Sequence, residues 1–210
     1  MLRGLCWLAQ PFLSGRGSSL KKNRNIILVF TVGIICIVAA GVVYALDSGT
    51  SDEAIEWDVT LVSTDGTEKV VDFNEIKEMP SVSGQGGFFT SVGVINGPFD
   101  IKGVPVIDIC DLVGGVARDE IVYLYAVDGY SAVFDYDQVR GGLDTFDPET
   151  MKLVSHGDLE VILAYQQNGK PLSREYGKPL RLAVIGKENL LTEGHHWVKW
   201  INRIEIVKLD

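Results

Sequence analysis

The 210-residue sequence predicts an α+β fold preceded by a single membrane-spanning helix. Three observations carry this. Apolar and polar residues alternate in short runs, several closed by Asp-Gly or Asn-Gly, the pattern of antiparallel hairpins. Only two short stretches have helical spacing, and they do not alternate regularly with strands as βαβ units would. One stretch, Ile26–Leu46, runs for 21 residues without a charge.

Residues 1–24 hold Arg3, Arg16, Lys21, Lys22 and Arg24 and no acid. A helix over 25–46, whose uncharged run is "IILVFTVGIICIVAAGVVYAL", would span about 31 Å, one hydrocarbon core. A soluble helix of that length is rarely apolar on every face. Basic "KKNR" directly precedes it and acidic "DSGTSDE" follows. By the positive-inside rule, residues 1–24 are expected in the cytoplasm and the C-terminal domain outside, in a single-pass membrane protein. The competing reading is a cleaved signal peptide ending at "VYA", Val43–Ala45; its apolar core is longer than a signal usually has. Both readings put the globular part outside the cytoplasm.

The remaining chain carries 14 basic against 28 acidic residues. That balance excludes a nucleic-acid-binding role, which needs a basic face. Of the three cysteines, Cys6 falls in the basic segment, Cys36 in the apolar span and Cys110 alone in the outer part. The outer domain therefore has no internal disulfide and rests on its core.

Residues 47–55 read as a linker, and 56–210 as the domain. "EWDVTLVSTDG" alternates Trp57, Val59 and Leu61, turns at Asp65-Gly66, and is answered by "EKVVDF". "DFNEIKEMP" reads as one helical turn, capped by Asp72 or Asn74 and ended by Pro80. Ser81–Gly103 has six glycines around a strand-like "FFTSVGVI". "VPVIDICDLVGG" places Val106, Ile109, Cys110 and Val113 at helical spacing, with Gly114-Gly115 as its stop. Cys110 is thus expected as a buried structural thiol. "EIVYLYAVDGYSAVF" is strand, Asp-Gly turn, strand. "LEVILAYQQNGKPL" is strand-like or a short helix and ends in a turn at Asn168-Gly169, "LRLAVIG" is a strand, and "WVKWINRIEIVKL" alternates as a closing strand from Trp197.

Gly-Lys-Pro-Leu occurs at Gly169–Leu172 and again at Gly177–Leu180. Nothing else matches at that period, so it reads as two turns with one spelling rather than a duplicated unit. Asp137–Glu160 clusters acids without the spacing of a calcium loop and reads as a solvated excursion. His195, His196 and His156 invite a metal reading. Neighbouring histidines on a strand face opposite ways and no spaced carboxylate–histidine motif accompanies them, so no metal site is expected.

Four segments in order, "GVPVIDICDLVGG", "AVDGYSAVF", "LAYQQNGKPLSREYGKPLRLAV" and "VKWINRIEI", resemble the molybdopterin-binding oxidoreductase domain of the sulfite oxidase family. The resemblance covers about Trp57–Leu209. It implies an α+β domain of mixed β-sheets with short helices, which holds an anionic molybdopterin through backbone groups and basic side chains, with a cysteine thiolate on the metal. That cofactor supplies two-electron redox and oxo-transfer chemistry.

Carried over by position, the ligand cysteine falls at Ser91. Tyr176 stands where the family usually has histidine. Arg174, Arg181 and Lys199 match basic positions, with Arg181 expected on the rim of the cofactor pocket. The leader "SSLKKNRN" lacks the paired arginines that export a folded, cofactor-loaded protein. The resemblance therefore implies the fold without its standard metal ligand: a membrane-anchored, non-catalytic module for a small anion or a membrane-associated partner subunit. The glycine-rich "SGQGG", Ser83–Gly87, offers amide groups to such an anion. The alternative is an active molybdopterin-dependent oxidoreductase with Ser91 or Thr90 near the metal.

Overall fold

A computed structural model describes residues 55–155, 158–188 and 190–209. The basic segment, the apolar run Ile26–Leu46, most of the linker and His156 lie outside the described residues. No helix among the described residues is long and apolar enough to cross a membrane.

The first hairpin forms as its sequence dictates: β1 (Asp58–Val62) and β2 (Glu68–Asp72) pair antiparallel across Gly66 at φ 84°. The short helix α1 (Phe73–Glu78) starts at Asp72, whose carboxylate accepts from the amides of Asn74 and Glu75 while Glu75 reaches back to the Asp72 amide. This reciprocal pair satisfies two otherwise orphaned donors and settles the cap on Asp72 rather than Asn74. Strands β3 (Val82–Phe89) and β4 (Ile95–Pro105) lead to α2 (Val106–Asp111), which buries Val106, Ile109 and Cys110. Strands β5 (Glu120–Ala126) and β6 (Ser131–Phe134) follow, then a 3₁₀ turn (Gln138–Arg140) and the two-residue strands β7 (Thr145–Phe146) and β8 (Leu153–Val154). The chain ends with β9 (Glu160–Gln167), β10 (Lys170–Pro171), β11 (Arg181–Ile185), β12 (Leu191–Glu193), a 3₁₀ turn (Gly194–His196) and β13 (Ile201–Lys208).

Both sheets are mixed, as the α+β reading requires. The first has the order β2-β1-β13-β5-β6, with β1 and β13 parallel; the second has the order β10-β9-β4-β3-β12-β7-β8, with β3 and β12 parallel. Strand β11 joins β9 and returns to β3 through reciprocal 2.9 Å bonds between Gln85 and Gly186. Strands β3, β4, β9 and β11 therefore close a circuit. Of its members, β9 and β11 are buried on both faces and read as near-continuous apolar runs, while the first halves of β3 and β4 are largely exposed. Val161, Leu163, Leu182 and Val184 face the larger core, shared with the first sheet and α2. Ile162, Ala164, Ala183 and Ile185 face a smaller core with Ile101 and Trp197.

Four readings of the sequence need correction. "FFTSVGVI" is not one strand: it bends at Thr90–Val94, where Thr90 and Val94 bond across a turn and Gly93 has φ 80°. Ser83–Gly87 offers no free amide cradle. It is strand β3, paired with β4, and its glycines serve close packing. A Cβ on Gly86 would lie 2.2 Å from the Val184 carbonyl and 3.1 Å from the Trp197 ring. The acidic excursion contributes β7 and β8 to the second sheet, and Thr145 in it is fully buried, because β12 needs a neighbour on its free edge. The closing strand starts at Ile201 rather than Trp197, since Trp200 takes φ 59° and bonds its amide to Leu180. The two Gly-Lys-Pro-Leu copies are indeed different turns. The first follows Asn168 and Gly169, both at positive φ; the second has a cis Lys178–Pro179 bond.

Gly86→Ala is expected to lower stability by about 3 kcal/mol or more, roughly 6–12 °C in Tm, because its contact is with backbone that cannot move away. A variant melting within about a degree of the parent would show that β3 and β11 are not held at this distance.

Candidate functional site

The site begins with a bridge. Between β11 and the segment leading into β13, Leu182 donates to Val198 (2.7 Å) and Trp200 to Leu180 (2.9 Å), which sets Arg181 opposite Lys199. Gly177, at φ 95°, packs between them: a Cβ there would meet the Lys199 Cβ at 2.9 Å and the Arg181 Cβ at 3.2 Å. The second Gly-Lys-Pro-Leu turn is thus a packing requirement of this pair.

Arg181 is not on a rim. It pairs in register with Ala164 and points to the smaller core, where it is 1% exposed. Its guanidinium lies 5.7 Å from the centroid of Phe88 and 5.2 Å from that of Trp197. These rings are 5.0 Å apart and are joined by Phe99, which also touches Tyr176. The indole donates to Thr192 Oγ1 at 2.8 Å, fixing the platform. One guanidinium NH2 group donates to the Trp197 carbonyl at 3.2 Å, and the buried Nε has no partner. No acidic residue pairs with Arg181 among the described residues. Burial pushes its pKa down to about 10, against an opposing effect of Tyr176, so it stays charged at neutral pH.

The other sequence candidates separate. Lys199 is half-buried beside Arg181, and Tyr176 is 40% exposed against Phe99. Arg174 is exposed on the turn Ser173–Gly177; no ion pair or hydrogen bond ties its side chain to the site among the described residues. Ser91 sits exposed at the β3–β4 turn and lines a cleft of about 330 Å³ with Phe88, Phe89, Tyr130, Glu193 and His195. Phe88 belongs to both places, under the Arg181 guanidinium and in the cleft wall.

The histidines lie in a 3₁₀ turn, not on a strand, so their rings come together with centroids 3.8 Å apart and planes tilted by 50°. His195 Nδ1 is 3.0 Å from Glu193 Oε2, while His196 is buried against Phe134 with an unpartnered Nδ1. Burial and, second, His195 push His196 down to about 4. Among the described residues, no group of three or more His, Cys, Asp or Glu is placed to hold a metal ion. Sequence reasoning missed the Glu193–His195 pair and the Phe88–Trp197 platform. The only local signal for the first was "TEGHHW", which puts an acid two residues before a histidine across a glycine.

The donor set fits an anion and not a thiolate-bound metal. Arg181 Nε is an orphaned charged donor, and Arg181 and Lys199 suit a phosphate. The cleft at Ser91 presents a hydroxyl. Cys110 is fully buried on α2 in the larger core, and desolvation pushes its thiol up to about 12, which leaves it unreactive.

The buried His196 imposes a pH dependence on stability. Its folded pKa lies below the unfolded value near 6.5. Between about pH 6.5 and pH 4 the unfolded chain therefore binds the extra proton, and stability falls as pH falls through that window, by up to about 3 kcal/mol. His196→Phe is expected to remove this part of the decline in denaturant unfolding. An unchanged slope would mean that His196 titrates normally.

Comparison with known proteins agrees with this geometry. The family model for the oxidoreductase molybdopterin binding domain matches residues 48–210. Mitochondrial sulfite oxidase of Homo sapiens is 41% identical over 49 residues, 23% of this chain and 8% of the relative. Nitrate reductase [NAD(P)H] of Hordeum vulgare is 28% identical over 182 residues, 84% of this chain and 18% of the relative. The chain thus spans a small fraction of the length of these curated relatives. The crystal structure of the sulfane dehydrogenase SoxCD from Paracoccus pantotrophus superposes with a TM-score of 0.55 at 20% identity, over 72% of this chain and 38% of that one, a likeness of fold. The match of the family model over residues 48–210, together with mixed sheets and the likeness of fold, places the chain in the oxidoreductase molybdopterin binding domain family, homologous to sulfite oxidase and nitrate reductase.

Proposed function

We propose that this protein is a membrane-anchored, extracytoplasmic member of the family that binds a small anion at Arg181 and Lys199 and does not carry out molybdenum redox chemistry. The observation that carries the reading is the Arg181 guanidinium, 1% exposed, with an orphaned Nε and no acidic partner among the described residues. A buried charge without a counterion is costly, and an anion entering beside it recovers that cost. Arginine suits the task better than lysine, because its planar fork stacks on Phe88 and Trp197 while keeping N–H groups for an oxyanion. Lys199 adds a second, less buried charge, and Tyr176 a hydroxyl. The molybdenum end lacks support: Ser91 stands where the family has cysteine, and Cys110 is sequestered in the larger core. Anchorage rests on the uncharged Ile26–Leu46 run and its basic flank. A membrane-associated partner subunit is the other occupant this reading allows.

Molybdenum content, with pterin fluorescence after acid oxidation, decides the redox question on full chain purified from membranes of its native host. Both are expected near zero in a host that loads other molybdoenzymes. About one molybdenum and one pterin per chain would instead establish the active oxidoreductase reading, with Ser91→Ala expected to lose the metal.

Anion binding is read separately. Inorganic phosphate at about a hundredfold excess over its Kd is expected to stabilise the full chain by about 2.7 kcal/mol, roughly 5–10 °C in Tm. In Arg181→Met, which removes the charge while keeping apolar volume, the phosphate effect is expected to vanish without loss of basal stability. An equal phosphate response in both proteins would exclude Arg181 as the anion's partner.

A further inference from the structure

The cleft beside Ser91 is chemically unlike the Arg181 site. Its floor is Phe88 and Phe89. Its polar residues are Thr90, Ser91, Tyr130 and the His195–Glu193 pair. The backbone fixes this arrangement. Strand β12 runs parallel to β3 with Glu193 level with Phe89, and the chain then turns in the 3₁₀ segment Gly194–His196. Gly194 makes the turn possible, since a Cβ there would sit 2.8 Å from the Phe89 carbonyl and 3.2 Å from the Phe88 ring. His195 is thereby brought to the wall that Phe88 and Phe89 form.

The pair is more than a solvated ion contact. Glu193 Oε2 lies 3.0 Å from His195 Nδ1, and the two side chains are only about half exposed, 48% and 52%. The His195 ring lies against the buried His196, with centroids 3.8 Å apart and the planes tilted by 50°. A carboxylate at Nδ1 favours the tautomer with its hydrogen on that nitrogen, which leaves Nε2 as the acceptor. A positioned imidazole acceptor over an apolar floor, in about 330 Å³, is the recipe of a small-molecule site.

The surroundings also select the ligand. The Glu193 carboxylate on the same wall repels anions, so the cleft does not duplicate the Arg181 site. A lone imidazole with one carboxylate second in line is too few ligands for a metal. Two aromatic rings favour an apolar body, and a lone-pair nitrogen favours a ligand that donates a hydrogen. We propose that this cleft binds a small neutral molecule with an aromatic or aliphatic body and a hydroxyl group, whose O–H donates to His195 Nε2 while Glu193 fixes the imidazole tautomer. The site goes beyond the anion-binding reading and depends neither on Arg181 nor on membrane anchorage.

Phenol and anisole make a matched pair of probes: the same ring, with and without the O–H. They are titrated into full chain labelled with nitrogen-15 at histidine, with His195 assigned by its absence in His195→Phe. Phenol is expected to shift the His195 Nε2 resonance saturably, with anisole binding at least about tenfold more weakly, the value of one good hydrogen bond. Glu193→Gln should weaken phenol and let His195 populate the other tautomer. His195→Phe, which keeps an aromatic ring against His196, should abolish the distinction between the two probes. Equal affinity for phenol and anisole would overturn the acceptor role, a non-saturating response would overturn the site, and an unchanged tautomer in Glu193→Gln would overturn the part given to Glu193.

Discussion

Everything in the described domain hangs on how closely β3 passes β11. The approach is possible because β3 has no side chain at two positions. A Cβ on Gly84 would meet the Gly186 carbonyl at 2.7 Å, and one on Gly86 would meet the Val184 carbonyl at 2.2 Å. With those atoms absent, the Gln85–Gly186 bonds form and the circuit of β3, β4, β9 and β11 closes. Closure gives β9 and β11 a neighbour on each side and buries both of their faces. Two cores follow: a large one shared with the first sheet and α2, and a small one inside the circuit. Gly103 repeats the device on β4, since a Cβ there would reach the Leu163 carbonyl at 2.4 Å.

The small core holds the one fully buried cation among the described residues. Arg181 is the residue of β11 on the same side as Ala183 and Ile185, so the strand's period of two carries it inside. Within that core the faces of Phe88 and Trp197 supply the only compensation near its charge among the described residues, together with the Trp197 carbonyl. Cation–π contact of this kind is worth about 2 kcal/mol when desolvated, less than the several kcal/mol that burying an ion costs. The shortfall is the physical case for an anion as the missing partner. The glycine at 177 and the bridge to Lys199 then bring a second positive group to the same spot.

Phe88 divides two chemistries. On one side its ring underlies the guanidinium; on the other it floors the cleft of Ser91, His195 and Glu193. The sole cysteine of the described residues is on neither side. Helix α2 turns Cys110 into the larger core with Val106 and Ile109, where desolvation holds the thiol protonated. A thiolate at the Ser91 turn is therefore not recoverable by a rotamer change, and the chemistry of that turn is the chemistry of hydroxyls and an imidazole.

Much of this was legible locally. Asn168-Gly169, Asp128-Gly129 and Asp65-Gly66 marked hairpins because each turn needs backbone at positive φ or an Asp side chain that folds back on it. Asp72 with Glu75 marked a helix start, and the spacing of Val106, Ile109 and Cys110 marked the inward face of α2. The family resemblance singled out Ser91, Tyr176, Arg181, Lys199 and Arg174 as candidates. What the tertiary structure decided was where those residues face and what they meet. Arg181 proved buried rather than peripheral, Arg174 fell outside the site, Trp197–Trp200 left the strand to bridge β11, and the acidic stretch became β7 and β8. His195 found its partner Glu193 only because β12 runs parallel to β3 and then turns on Gly194. Turns, caps and helix faces depend on residues within a few positions of each other, so a sequence states them directly. Burial of a charge and the assembly of a cleft depend on strands paired across a hundred residues, as β3 pairs with β12, and only the closed circuit fixes those.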